Sequence, residues 1–266
     1  MTERRDGGVT TGRVTLVGGG PGSRDLLTLG AVEALRQADV VLYDRLAPIE
    51  VLDEFCPDAV HIDVGKLPGH HAVPQHEIER LLVEHALAGA RVVRLKGGDP
   101  YIFGRGGEEV LACRRAGVPV EVIPGVTSAV AVPAASGIPL THRGVSHAFT
   151  VISGHAPLTA SEFTHLAGLG GTIVVLMGVS ALPALAPGLV AAGLAADTPA
   201  AVIERGHRSG QRTTCAPLGE LPVAAARAGV RSPAVIVIGE VVRLAAEGDV
   251  AADAVLRRAG EDAIAP

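Results

Sequence analysis

The sequence predicts an α/β protein built in two parts, on three observations. Short apolar, β-branched runs alternate with helical patterns through the first half, which signals a mostly parallel sheet covered on both faces. The composition changes over Ser136–Val145, where Gly137, Pro139 and Gly144 sit in a polar loop, and a domain boundary is expected there. Beyond it the last apolar runs follow at shorter intervals, the pattern of a partly antiparallel sheet. The expected division is an N-terminal domain over 13–138, a C-terminal domain over 146–244, and peripheral tails at 1–12 and 245–266.

Five strands are expected in the first half: Arg13–Val17, Val40–Tyr43, Ala59–Asp63, Arg91–Leu95 and Val118–Ile123. Helical patterns separate most of them, at Leu26–Gln37, Gln75–Ala88 and Glu108–Ala116. Pro74 suits a helix entry, and Gly89 and Gly117 suit helix exits. The second half offers strands at Ala148–Ile152, Thr172–Met177, Ala200–Ile203, Thr213–Ala216 and Ala234–Ile238. Leu166–Ala196 carries no charge and is long enough to span a bilayer. Pro183, Pro187 and six glycines interrupt it, so it reads as a buried strand followed by an Ala/Leu helix from Ser180.

The chain of 266 residues is 48% hydrophobic and 19% charged. At this length folding buries roughly 70–75% of the unfolded surface, enough for a core without disulfides. Cys56, Cys113 and Cys215 lie far apart with no C-x-x-C pair, so neither a disulfide framework nor a zinc knuckle is signalled. A reducing, cytoplasmic setting follows. The net charge of −5 has the wrong sign for a protein that lives on phosphate backbones. Aromatic residues, at 2%, are too few for base-stacking platforms. Neither nucleic acid nor membrane is expected as a partner, and the polar start MTERRDGGVTTG lacks the apolar run of a signal peptide.

Two glycine-rich loops carry the chemistry. Gly18-Gly19-Gly20-Pro21-Gly22 follows the first strand, and such a turn lets backbone approach a ligand. Asp44, just after the second strand, stands where a dinucleotide fold keeps its ribose-binding carboxylate, so a nicotinamide-dependent oxidoreductase is a rival reading. Against it, Ser23 occupies the third glycine position of G-x-G-x-x-G, and Pro21 removes a backbone donor. A tight turn without a ligand is the plainer alternative for this segment. The second loop, Arg94-Leu95-Lys96-Gly97-Gly98-Asp99-Pro100 and onward through Arg105 to Glu109, leaves the fourth strand. Ligands in open α/β sheets sit at such carboxyl ends. Asp99 is an acceptor there, and arginines can meet carboxylates bidentately. A third cluster joins Lys66 with His70, His71 and His76. It has no metal-ligand spacing, so no metal is expected.

Assembled in order, these segments resemble the uroporphyrinogen-III C-methyltransferases of the tetrapyrrole methyltransferase family. The matching pieces are VTLVGGGPG (14–22), DVVLYDRL (39–46), VGK…GHHAVPQHEI (64–78) and VVRLKGGDPYIFGRGGEE (92–109). They continue with VIPGVTSA (122–129), SGIPLTHR (136–143), LMG (176–178), the Ala201–Gly206 run and SPAVIVIGEVV (232–242). The resemblance covers about residues 13–244. Two positions depart from the common pattern: Ser23, where relatives often have Asp, and Ser128, where many have Ala.

The resemblance implies two α/β domains of the class III methyltransferase type with a ligand cleft between them, and a homodimer. It implies S-adenosyl-L-methionine as methyl donor, S-adenosyl-L-homocysteine as its product, and methylation of uroporphyrinogen III at C2 and C7 to precorrin-2, for sirohaem or cobalamin. Family donor-site positions fall on Pro21, Gly97, Gly98, Asp99, Ile102, Thr127, Ser128, Met177, Gly206 and Ala234. The proton-handling pair falls on Asp44 and Lys66. No dehydrogenase or chelatase module is expected ahead of Arg13.

The implied substrate carries eight carboxylates, so a chain of net charge −5 needs a concentrated basic surface. Arg45, His70, His71, Arg94, Arg105 and Arg143 are the candidates beside Lys66. Methyl transfer asks the protein mainly to align reactants and exclude water, and Asp44 is placed to stabilise positive charge or take a proton. The plainer roles for Asp44 are a helix N-cap or a salt bridge to Arg45. The rival functions are a sibling methyltransferase acting on a later corrin precursor, the oxidoreductase above, and a non-catalytic sensor of adenosyl ligands.

Overall fold

The computed structural model describes residues 11–65 and 73–245. The chain divides into two compact units after Thr127. The first unit holds β1 (Arg13–Gly18), α1 (Leu29–Arg36), β2 (Val40–Tyr43), α2 (Leu52–Phe55) and β3 (Val60–Asp63). It continues with α3 (Gln75–Leu87), β4 (Arg91–Lys96), α4 (Gly106–Arg115) and β5 (Val120–Ile123). Its sheet is parallel throughout, in the order β3-β2-β4-β1-β5.

Both faces of this sheet are covered, and strand alternation decides which side chain goes where. Val14, Leu16, Val40, Leu42 and Val92 pack against Ile78, Leu82 and Ala86 of α3 and Val110 and Cys113 of α4. Val17, Val41, Val93 and Leu95 point the other way, onto Ala31 and Leu35 of α1 and Leu52 of α2. Leu16, Leu35, Leu42, Leu82 and Leu95 are fully buried, each worth roughly 1.5–3 kcal/mol relative to exposure.

The second unit holds α5 (Ser128–Ala135), β6 (Phe149–Ser153), α6 (Ala160–Leu169), β7 (Thr172–Leu176) and α7 (Leu182–Ala191). β8 (Pro199–Glu204), β9 (Arg212–Pro217), α8 (Leu221–Arg227) and β10 (Ala234–Ile238) complete it. The sheet order is β6-β7-β10-β8-β9. β6 and β7 are parallel, whereas β10 runs antiparallel to β7 and β8, and β9 antiparallel to β8. The shorter spacing of the last strands thus corresponds to antiparallel pairing. The division falls before the expected 136–145 boundary because α5 and the loop after it pack on the second sheet. Ala129, Val132, Ile138 and Leu140 share a core with Val174, Ala201, Ile203, Val235 and Val237.

The uncharged stretch 166–196 holds the end of α6, the buried strand β7, and α7, which turns Leu182, Leu185, Ala186 and Leu189 into the core of the second unit. No helix among the described residues is long and apolar enough to cross a membrane. Cys56 and Cys113 are buried thiols, each pushed up to about 11 chiefly by burial, and Cys215 is exposed; none of the three is in a disulfide.

Candidate active site

The order β2-β4-β1-β5 brings the loops that leave four neighbouring strands to one edge of the first sheet. Backbone alone ties three of them together. Gly20 N–H donates to Gly98 O at 3.1 Å, and Gly98 N–H returns a bond to Gly20 O at 2.7 Å. A side chain at Gly18 would put its Cβ 2.4 Å from Gly125 N and 2.8 Å from Gly98 O, so the turns after β1, β4 and β5 press together only because they lack side chains. Asp99 fastens the same junction: Oδ1 accepts from Tyr101 N–H at 2.8 Å and Oδ2 from Gly125 N–H at 3.1 Å. Pro21 and Gly98 are buried here, and Thr127 is half-buried at the end of the unit. Ile102 lies exposed between the exposed side chains of Tyr101 and Phe103.

Asp44 sits at the mouth of this edge, directly after β2, with its side chain 30% exposed. Oδ1 accepts from Gly97 N–H at 3.3 Å and Oδ2 from Arg94 Nη2 at 3.3 Å. It is no helix cap, since the next helical turn, Ile49–Val51, is capped by Pro48. Its ion pair is with Arg94, not Arg45.

Arg94 corrects the sequence reading. It was expected among the basic surface residues, yet it is only 3% exposed. Nε donates to Glu109 Oε1 at 3.1 Å and Nη1 to Leu95 O at 3.1 Å. Lys96 is as deeply buried, and its Nζ donates to the same Glu109 Oε1 at 3.0 Å. Burial, with Arg94 nearby, pushes the Lys96 ammonium below its ordinary range, and Glu109 and Asp44 oppose that shift. Glu109 comes from the first turn of α4 and is fully buried; its Oε2 has no hydrogen-bond partner among the described residues.

Sequence reasoning overlooked Lys96, Glu109 and Gly125. The signal was present for the first two. Arg94 and Lys96 stand two apart in β4, hence on the same face as Val92, and cations buried on that face require a buried counter-charge.

Of the other basic candidates, Arg45 and Arg143 are exposed. Arg105 is also exposed and pairs with Glu108 at 2.7 Å. Lys66, His70 and His71 lie outside the described residues. Arg143 belongs to the second unit, as do Ser128, Met177, Gly206 and Ala234. Ser128 opens α5. Met177 follows β7, Gly206 follows β8, and Ala234 begins β10, which runs antiparallel to both, so these three share one edge of the second sheet. Met177 holds φ +57° and is 46% exposed. Arg205 and His207, either side of Gly206, are also left-handed, at φ +51° and +59°. Side chains in this region cost of order 1 kcal/mol or more each and cluster at functional sites. Gly206 itself admits no Cβ, which would fall 2.5 Å from Val132 Cγ1.

The oxidoreductase reading fails on topology. A dinucleotide fold places its first strand beside the second, whereas here β4 separates β1 from β2. A 3-10 turn, Arg24–Leu26, intervenes between the first glycine loop and α1, so no helix N-terminus faces that loop. A cavity of about 230 Å³ lined by Arg13, Thr15, Glu33, Arg91 and Glu121 lies over the opening halves of β1, β4 and β5, away from Asp44. Among the described residues no group of His, Cys, Asp and Glu is arranged to hold a metal.

Residues 13–222 match the model of the tetrapyrrole (corrin/porphyrin) methylases. The chain belongs to that family. It is 48% identical to an S-adenosyl-L-methionine-dependent uroporphyrinogen III methyltransferase of Methanosarcina barkeri, over 88% of this chain and 93% of that protein. It is 49% identical to a siroheme synthase of Tolumonas auensis, over 88% of this chain and 50% of that protein. The chain therefore spans about half the length of several curated relatives that it matches. Among solved structures, the uroporphyrin-III C-methyltransferase of Thermus thermophilus complexed with S-adenyl homocysteine is 45% identical. It has a TM-score of 0.74 and covers 88% of this chain and 100% of that one. A cobalt precorrin-4 methyltransferase superposes with a TM-score of 0.77 at 27% identity, over 86% and 95% of the two chains.

Proposed function

We propose that the chain is an S-adenosyl-L-methionine-dependent methyltransferase that methylates uroporphyrinogen III at C2 and C7 to give precorrin-2. The observation that carries this reading is Asp44: a half-open carboxylate aimed by one backbone N–H and one buried guanidinium, at the mouth of a glycine-built edge. The Methanosarcina barkeri relative and the Thermus thermophilus structure, which carry this substrate class in their names, support the substrate.

The glycine edge fits the donor. Buried Gly98 at φ +68° and half-buried Gly97 present backbone where a side chain would intrude. We assign donor contacts to Pro21, Gly97, Gly98, Asp99, Ile102 and Thr127 of the first unit. In the second unit we assign them to Ser128, Met177, Gly206 and Ala234. When bound, the donor supplies a methyl group already activated by its sulfonium. The chain's task is then positional and protic. The ring carbon that gains a methyl group leaves the macrocycle with positive charge, which is discharged by loss of a proton. Asp44 accepts it, because its pairing through single donors leaves lone pairs for substrate. Lys66 is assigned to the same proton handling on its motif. Exposed Arg45, Arg105 and Arg143, with His70 and His71, pair with the substrate's carboxylates. We place the enzyme in the cytoplasm as a homodimer, on the family resemblance and on cysteines that form no disulfide.

Anaerobic incubation with uroporphyrinogen III and donor, read by tetrapyrrole mass, tests the assignment. A gain of two methyl groups is expected. No gain, in protein that binds S-adenosylhomocysteine and methylates a later corrin precursor, overturns it. Asp44→Asn is expected to lower turnover at least about 10²-fold, the lower bound for a general base. Its affinity for S-adenosylhomocysteine, measured by calorimetry, should stay within about twofold of the parent.

A further inference from the structure

The acceptor-side carboxylate is only as well placed as the guanidinium that aims it, and that guanidinium is itself held from behind. Arg94 reaches Asp44 through Nη2 alone, while Nε is taken by Glu109 and Nη1 by Leu95 O. Lys96, two residues along the same strand face, is drawn to the same Glu109 oxygen. Two cations and two carboxylates thus balance in one cluster, with Glu109 at its fully buried end and Asp44 at its partly exposed one. We propose that Glu109 is the positioning residue of the reaction, holding both buried cations back so that Asp44 keeps lone pairs for the substrate's proton. This rests on the reading of Asp44 as the base.

Without the Glu109 charge, Asp44 is the remaining carboxylate shown near both cations. Arg94 would then turn toward a two-pronged grip on Asp44, the geometry guanidinium and carboxylate favour. A carboxylate held in that way is a poor proton acceptor. The satisfaction of Glu109 also sets it apart from a stability device. Glu204, the buried carboxylate of the second unit, uses both oxygens: Oε2 accepts from Arg212 Nε at 2.7 Å and Oε1 from Arg231 N–H at 2.9 Å. Glu109 concentrates both cations on Oε1 and leaves Oε2 without a partner among the described residues, a costly arrangement for a group that serves packing alone.

Among the described residues the charged groups around Asp44 are Arg94 and Lys96 from β4, Glu109 from α4, Asp63 at the end of neighbouring β3, and Arg45 beside it. The test uses the full chain carrying Glu109→Gln, Lys96→Met, or both, with kcat followed against pH under anaerobic conditions. Glu109→Gln is expected to lower kcat about tenfold or more, part of the 10²–10⁴ a general base supplies. It should also move the acid limb of the profile to lower pH by about one unit, because loss of a nearby negative charge favours ionised Asp44. Lys96→Met removes a cation instead and should move that limb to higher pH. The double variant restores neutrality and should return the limb toward the parental position, while kcat stays low because Arg94 is still released onto Asp44. A purely structural Glu109 would lower the melting temperature without these opposed shifts, and limbs that stay in place overturn the proposal. Should Glu109→Gln fail to fold, Lys96→Met decides alone: its limb is expected at higher pH, and a limb that stays in place overturns the proposal. Turnover retained in Asp44→Asn overturns the base reading itself. Loss there, with Glu109→Gln unchanged in kcat and limb, overturns only the positioning role.

Discussion

The two sheets expose their functional edges by opposite means. In the first unit the edge is made permissive by absent side chains, Gly18, Gly98 and Gly125, and is undercut by buried charge. In the second the central strands β7 and β10 are apolar on both faces, and the unusual feature is the backbone of Met177, Arg205 and His207, left-handed without glycine. One edge concentrates electrostatics and the other concentrates conformational strain. The proposed proton handling needs the first kind of environment, whereas the proposed fixing of the donor's pose draws on the second.

Gly18→Val should separate the two most sharply. Its side chain has only backbone to push against, at 2.4 Å and 2.8 Å. We expect a loss of more than about 4 kcal/mol, read as a collapse of the melting transition. By contrast Gly168→Ala, with nothing within 4 Å of its new Cβ, should change stability little. A Gly18→Val protein with parental melting would break the account of the first edge.

Met177→Gly tests the second edge with the opposite sign of stability. Removing the left-handed strain should stabilise the chain by up to about 1 kcal/mol while weakening S-adenosylhomocysteine binding, measurable by calorimetry. A destabilised variant would show that the Met177 side chain packs for the fold.

The smallest effect lies away from both edges. Arg91 hydrogen bonds hold the Asp39 carboxyl down to about 2 from an ordinary 3.8. A lowered folded value means stability that is present above pH about 4 and lost as the pH falls through about 2. Both partners are close to half exposed, so solvent screening limits the contribution to about 0.5 kcal/mol. Asp39→Asn should differ from the parent in urea midpoint at pH 7 and converge with it near pH 2.

Much of this was legible in the sequence because alternation and periodicity report directly on burial. β2 and β10 were bounded as found, and β1 and β4 to within a residue. α5 was not read, since SAVAVPAA is apolar all round, with Pro133 inside and no amphipathic face. α6 was readable and overlooked: Thr159-Ala160-Ser161-Glu162 is a capping box, with Thr159 and Glu162 bonded reciprocally. The site divides along similar lines. Glycine turns and Asp44 announce themselves by motif. The burial of Arg94 does not, because its partner Glu109 lies on a helix whose facing strand is fixed only by tertiary pairing.

The strand order also governs when this catalyst can exist. β4 lies between β1 and β2, and Leu42 and Tyr43 pair with Arg94 and Leu95 across some fifty residues of chain. During synthesis β1 and β2 therefore wait without their shared neighbour until the middle of the unit has emerged. The carboxylate and the guanidinium that aims it come from the two strands joined at that step. Loop closure over such a separation is slow relative to local helix formation. Competence for the proposed proton transfer would in this way be a late product of folding, acquired together with the centre of the sheet.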